Sequence, residues 1–115
     1  MTPDADVRDR LVSERVHAEE RMTALEAEFR GLVEAGDRTN IDDEHDPEGA
    51  TIAFERAQVV ALIEQARAHV SDINLALAAL SRDQYGSCER CGQPISAGRL
   101  QARPSARTCI RCAAR

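Results

Sequence analysis

Four cysteines fall in two pairs, Cys88-Glu89-Arg90-Cys91 and Cys109-Ile110-Arg111-Cys112. In each pair the thiols lie about one tight turn apart, so both sulfurs can reach one ion and each pair supplies half a tetrahedron. Seventeen residues separate the pairs, within the spacing of a four-cysteine zinc site, and Gly92 directly after Cys91 permits the positive φ that such knuckles use. The competing chemistry is redox, as CxxC dithiols or disulfides. Those motifs usually open a helix that follows a strand, and neither flank here reads as a strand. The expectation is one structural Zn²⁺ held by Cys88, Cys91, Cys109 and Cys112. With all four ligands from protein there is no open position for a reactive water, so no catalytic residue and no enzyme activity are expected. His17, His45 and His69 lie too far along the chain to replace a cysteine.

The segment around these cysteines has Ile95, Leu100 and Ile110 as its main apolar side chains. So small a set does not offset backbone ordering costs of about 1 to 2 kcal/mol per residue. Structural zinc, at about 10 to 16 kcal/mol apparent, supplies what the core lacks. Removing the ion should therefore unfold the finger and leave most of the remaining helix intact.

The elements that must carry this finger are helices. Thr2-Pro3-Asp4 reads as an N-cap, a Pro at the first helical position and an acid on the positive helix end. Leu11, Arg15, Ala18, Met22, Leu25, Phe29 and Leu32 then recur at spacings of four and three, which keeps one seam on one side of a helix, with Arg15 the misfit. Gly36 is placed to end it, giving a first helix from Pro3 to Ala35. The stretch 36–50 has no apolar period and holds Asp37, Asp42, Asp43, Glu44, Asp46 and Glu48 against a single Arg38, which reads as an acidic turn. Asp46-Pro47-Glu48 starts a second helix. Its seam, Val59, Ile63, Ala66, Val70, Ile73, Leu77 and Leu80, runs three heptads without a miss and ends near Tyr85-Gly86. Two such helices, about 50 Å long at the helical rise, must zip together rather than form a ball. The fold expected is mainly α: an antiparallel two-helix coiled-coil hairpin over residues 1–84 with its acidic tip at 36–50, then a small four-cysteine zinc finger over 85–115. Phe29 should lie near Ile52 and Ala53, and Leu11 near Val70.

Composition narrows the function. Only 3% of the chain is aromatic, and no apolar run approaches a membrane span of about 20 residues. The first ten residues are charged where a signal peptide would be apolar, so a cytoplasmic location is expected, where cysteines stay reduced and bind metal. Net charge is −5, unevenly spread: from Arg82 onward seven arginines face only Asp83 and Glu89. The finger is basic and the helices acidic, which disfavours general DNA binding and favours a protein partner. All fifteen basic residues are arginine, which fits the coding bias of a GC-rich genome.

From Tyr85 to Ala113 the CxxCG, PI, GRL, ARP and TCIRCA elements of YGSCERCGQPISAGRLQARPSARTCIRCAAR, placed after a helical hairpin with an acidic turn, resemble the DksA/TraR family of bacterial transcription factors. The resemblance implies a protein that binds RNA polymerase directly, without DNA contact. It implies a coiled-coil tip in the secondary channel, near the catalytic Mg²⁺, that modulates initiation, often together with the alarmone guanosine tetraphosphate. The family's DxxDxA tip motif has two partial alignments here: Asp43-Glu44-His45-Asp46 supplies DxxD and continues Pro47-Glu48, while a start at Asp46 puts Gly49 in place of the second aspartate and Thr51 in place of the alanine. Asp43 and Asp46 are the leading tip residues, with Asp42 and Glu44 beside them. The C-terminal helix of longer members has no counterpart after Cys112, so contacts assigned to it are not carried over.

Two other functions use the same elements. A Gre-like factor would hold a second Mg²⁺ with the tip acids and promote transcript cleavage by the polymerase. A zinc-finger adaptor would bind protein through its basic finger and never enter the channel. Specific DNA binding ranks below these, because the finger lacks a helix bearing base-reading side chains.

Overall fold

A computed structural model describes residues 3–39 and 47–115. The chain order is α1 (Pro3–Thr39), α2 (Pro47–Ser81), α3 (Ala97–Ala102) and α4 (Ile110–Ala113). Among the described residues there is no strand, only an isolated antiparallel bridge between Ser87 and Pro94. No helix among them is long and apolar enough to cross a membrane.

The chain divides into two compact units, one of Met1–His17 with Ala68–Arg115 and one of Ala18–Arg67. In the first, Leu11 and Ile73 are fully buried at 0% exposure and pack with Ala76 and Leu80, while Val7, Leu77 and Tyr85 close the edge. Burying a Leu or Ile side chain stabilises by about 1.5 to 3 kcal/mol, so this cluster is the main apolar anchor of the unit. Beside it Arg15 Nη1 donates to Asn74 Oδ1 at 2.7 Å. The arginine that breaks the apolar rhythm of α1 is thus paired with a side chain of α2. Glu14 lies 3.9 Å from Arg10 and 3.6 Å from His69, partly exposed contacts of the kind worth at most about 1 kcal/mol.

In the second unit Ala18, Leu25, Val59 and Ala66 are buried. The Arg56 guanidinium lies over the Phe29 ring, 5.7 Å from its centroid, a cation–π contact. In each unit α1 and α2 run antiparallel, the pairing expected of a helical hairpin. Leu11, Ala18, Leu25, Val59, Ala66, Ile73 and Leu80, one of the two columns in the seam, are buried. Met22, Phe29, Ile63, Val70 and Leu77, the alternate column, are half-buried. A pair of helices has a single contact face, which covers one column fully and the other only from one side.

Two boundaries and the register differ from expectation. First, α1 does not stop at Ala35 but runs through Gly36 to Thr39, and Gly36 is not among the residues with positive φ. A glycine inside a helix costs about 1 kcal/mol against alanine, too little to end a helix that is paired with α2 on this side. Ile52 and Arg56 of α2 lie near: a Cβ added to Gly36 would sit 3.7 Å from each. Residues 36–39 and 47–50 are helical, and the rest of the stretch 36–50 lies outside the described residues. Second, the register shifts by about one helical turn: Phe29 meets Arg56 rather than Ile52 and Ala53, and Leu11 clusters with Ile73, Ala76 and Leu80 rather than Val70. Third, α2 ends at Ser81 rather than near Tyr85-Gly86. Asp83 adopts φ 55°, its N–H bonds the Leu80 carbonyl at 3.2 Å, and the Gln84 N–H bonds the Ala79 carbonyl at 2.8 Å. This is a Schellman cap in which aspartate holds the left-handed position usually given to glycine. Pro47 is the first residue of α2, as its fixed φ favours.

Candidate metal centre

The first cysteine pair sits on a tight loop. The Cys88 N–H donates to the Gln93 carbonyl at 2.8 Å and the Gly92 N–H to the Cys88 carbonyl at 2.9 Å, folding the chain back over the thiols. Gly92 makes this possible at φ 75°. A Cβ there would meet nothing within 4 Å, so glycine serves backbone conformation rather than space. The second pair opens α4: Cys109 is its N-cap residue and Cys112 lies within it. Ile110, expected among the finger's apolar side chains, is instead 68% exposed. It starts the helical turn whose Cys112 must face Cys109, and one residue on from Cys109 points away from that line. The small core is Ile95 with the buried thiols of Cys88 and Cys112, edged by Leu100 and Cys109.

Arginines brace this frame. Arg99 donates Nε to the Thr108 carbonyl at 2.8 Å, while its backbone N–H bonds the Ser96 hydroxyl at the start of α3. Arg90 Nη1 reaches the Cys112 carbonyl at 3.4 Å. Arg107 holds Glu89 Oε1 at 2.7 Å and Asp72 Oδ1 of α2 at 2.8 Å. Its pKa is raised, first by the hydrogen bond to Glu89 and further by the charge of Asp72. The Tyr85 hydroxyl donates to the Pro104 carbonyl at 2.8 Å.

The four Sγ atoms lie within 4.8 Å of one another, the one group of three or more metal-ligating side chains so placed among the described residues. A tetrahedron with Zn–S bonds of about 2.3 Å has an edge of about 3.8 Å. Cys91 Sγ and Cys109 Sγ are 3.7 Å apart. The protonation pattern fits a cation. Backbone N–H groups of Cys109 and Cys91 bring the Cys88 thiol down to about 6, and the Cys112 N–H lowers Cys109. Cys112, hydrogen-bonded to the Cys109 sulfur and crowded by its neighbours, is pushed up to about 12. Four thiolates cannot share this volume without a positive charge among them, and a divalent ion supplies it.

Three comparisons bear on this frame. Residues 83–115 match the model of the prokaryotic dksA/traR C4-type zinc finger. The structure of transcription factor DksA2 from Pseudomonas aeruginosa aligns over 96% of this chain and 80% of that one, with a TM-score of 0.74 and 30% identity. The chain belongs to the DksA/TraR family. As a C4-type finger of that family it carries one structural zinc, and its four clustered thiols are the set that fits the ion. An uncharacterized protein YteA of Bacillus subtilis (strain 168) is 39% identical over 66 residues, 57% of this chain and 28% of that protein. An uncharacterized protein of Aquifex aeolicus (strain VF5) is 44% identical over 46 residues, 40% of this chain and 32% of that one. The matched stretches therefore span less than a third of either curated relative.

Of the sequence-derived site residues, the structure brings Cys88, Cys91, Cys109 and Cys112 together. Asp42, Asp43, Glu44 and Asp46 lie outside the described residues, as does His45. Tyr85, Asp72, Glu89 and Arg107, which seat the DksA/TraR finger against α2, are not singled out by spacing. Glu89 carries a signal in hindsight, as one of only two acids in a basic segment.

Proposed function

We propose that the chain is a regulator of transcription that binds RNA polymerase directly and inserts the acidic turn of its hairpin into the secondary channel, modulating initiation. The observation that carries this reading is the likeness to the transcription factor DksA2, which runs through the hairpin as well as the finger. In this reading residues 1–84 act as the inserting hairpin and residues 85–115 as the zinc-stabilised finger. Cys88, Cys91, Cys109 and Cys112 ligate the ion, and the work on the polymerase falls to Asp43 and Asp46 with Asp42 and Glu44. Carboxylates clustered on a narrow helical end can approach a bound Mg²⁺ or basic channel side chains, whichever acid leads. The site of action is the cytoplasm, with the polymerase, and guanosine tetraphosphate is the co-effector to examine.

The test is co-purification with core RNA polymerase and an initiation assay, using the wild type and the Asp43→Asn/Asp46→Asn double variant. Binding by the wild type and loss of the initiation effect in the variant are expected. An initiation effect indifferent to the double variant would favour the adaptor reading. Stimulated cleavage in stalled complexes would favour the Gre-like one.

A further inference from the structure

We propose that Arg107 is a positioning residue that links retention of the metal to the seat of the finger on α2. Its guanidinium is shared between two carboxylates with different duties. Nη2 holds Glu89, which lies between the ligands Cys88 and Cys91, and Nη1 holds Asp72, which lies on α2 sixteen residues before Cys88. The backbone repeats the first link, since the Glu89 N–H donates to the Arg107 carbonyl at 2.9 Å. Arg107 itself stands two residues before Cys109. One side chain thus touches the loop of the first cysteine pair, the approach to the second, and a helix that supplies no ligand.

The planar fork of arginine can hold two carboxylates in fixed directions at once, which an ammonium cannot. With both bonds made, Asp72 fixes the direction of the guanidinium that holds Glu89, so losing the bond to α2 loosens the tie between the first cysteine loop and Arg107. Retention of the site is therefore coupled through one guanidinium to the seat of the finger on α2. Groups that orient ligands from outside the coordination sphere commonly alter metal affinity. Here the orientation is carried through Arg107 to a carboxylate remote from the metal.

The experiment measures the rate of zinc transfer from the full-length, zinc-loaded chain to a metallochromic chelator, followed by absorbance. Asp72→Asn keeps the shape of the side chain and removes its charge, and it touches no ligand. It should speed zinc release about two- to fivefold, the range for a partly exposed ion pair, and raising the salt should bring the wild type towards the variant. Arg107→Ala should speed release at least as much, and adding Asp72→Asn to it should change nothing further. If Arg107→Ala fails to fold by circular dichroism, Arg107→Gln, which carries no charge to pair with Asp72, replaces it in the cycle with the same expectation. Release from Asp72→Asn at the wild-type rate overturns the proposal, as do effects of the two substitutions that multiply. A role of Asp72 confined to α2 would leave zinc release unmoved.

Discussion

The hydroxyl of Tyr85 and the carbonyl of Pro104 are joined by a 2.8 Å hydrogen bond across 19 residues of chain. The ring end of the same side chain packs on the cluster of Leu11, Ile73, Ala76 and Leu80. Tyr85 therefore belongs to the helix core at one end and to the finger at the other. Tyr85→Phe removes only the hydrogen bond and should cost about 0.5 to 1.5 kcal/mol in urea unfolding. Tyr85→Ala also strips the ring from the cluster and should cost about 3 kcal/mol or more.

The pH dependence of this contact has a definite sign. Burial raises the Tyr85 pKa above 10.0, because the phenolate is poorly solvated there, and the charge of Glu14 adds to the rise while Arg10 opposes it. A raised folded-state pKa means that the native chain binds the proton more tightly than the unfolded one. The contribution is complete below the unfolded value and is lost as pH rises through the folded one. Ultraviolet titration of the phenolate should give a midpoint above that of free tyrosine, and stability should fall in the same alkaline range.

Chelation should have unequal spectroscopic effects. The finger's own helices, α3 and α4, hold 6 and 4 residues against 37 and 35 in α1 and α2. Stripping zinc should therefore lower the far-ultraviolet circular dichroism only slightly. Tyr85 is the sole tyrosine in a chain without tryptophan, and its hydroxyl is bonded to the finger. Its emission should change sharply in the same experiment. An unchanged tyrosine signal with metal demonstrably removed would mean that the finger keeps its seat without the ion.

The core of the first unit should be sensitive in proportion to volume. Leu11 and Ile73 are both at 0% exposure. Leu11→Ala should cost about 2 to 5 kcal/mol and Ile73→Val about 0.5 to 1.5 kcal/mol by thermal or urea unfolding. Leu75, on the same helix as Ile73 but 47% exposed, should tolerate Leu75→Ala with far less loss.

Asp83 occupies a left-handed position at φ 55°. Aspartate tolerates it, whereas a β-branched side chain does not. Asp83→Val should cost about 1 to 2 kcal/mol, while Asp83→Asn and Asp83→Gly should be close to neutral, all read from unfolding midpoints.

The cysteine spacing and Gly92 announce the metal site because ligand geometry is local: a CxxC turn works the same way in any fold. The helix seams are equally readable, since Leu11, Leu25, Val59, Ile73 and Leu80 repeat with the period that one face demands. Register is not readable in this way. It depends on where α1 stops, and Gly36 carries the appearance of a terminator although the paired helix continues past it. The seat of the finger is hidden for a different reason. Nothing in the spacing of Asp72, Glu89 and Arg107 distinguishes three residues that meet from three ordinary surface charges. Only the fold decides which of seven arginines in this segment finds two carboxylates.

The glycines of α1 carry a last consequence. At Gly31 a Cβ would meet nothing within 4 Å, and at Gly36 it would make only ordinary contacts. Neither residue is required by space, yet each weakens the helix by about 1 kcal/mol relative to alanine. The C-terminal end of α1 should therefore be the first part of the long helices to fray. Its amides should exchange with solvent through local opening long before those around Leu11, which open only when the buried cluster does. Within α1, the turns around Leu11 hold firm and those after Gly31 yield first.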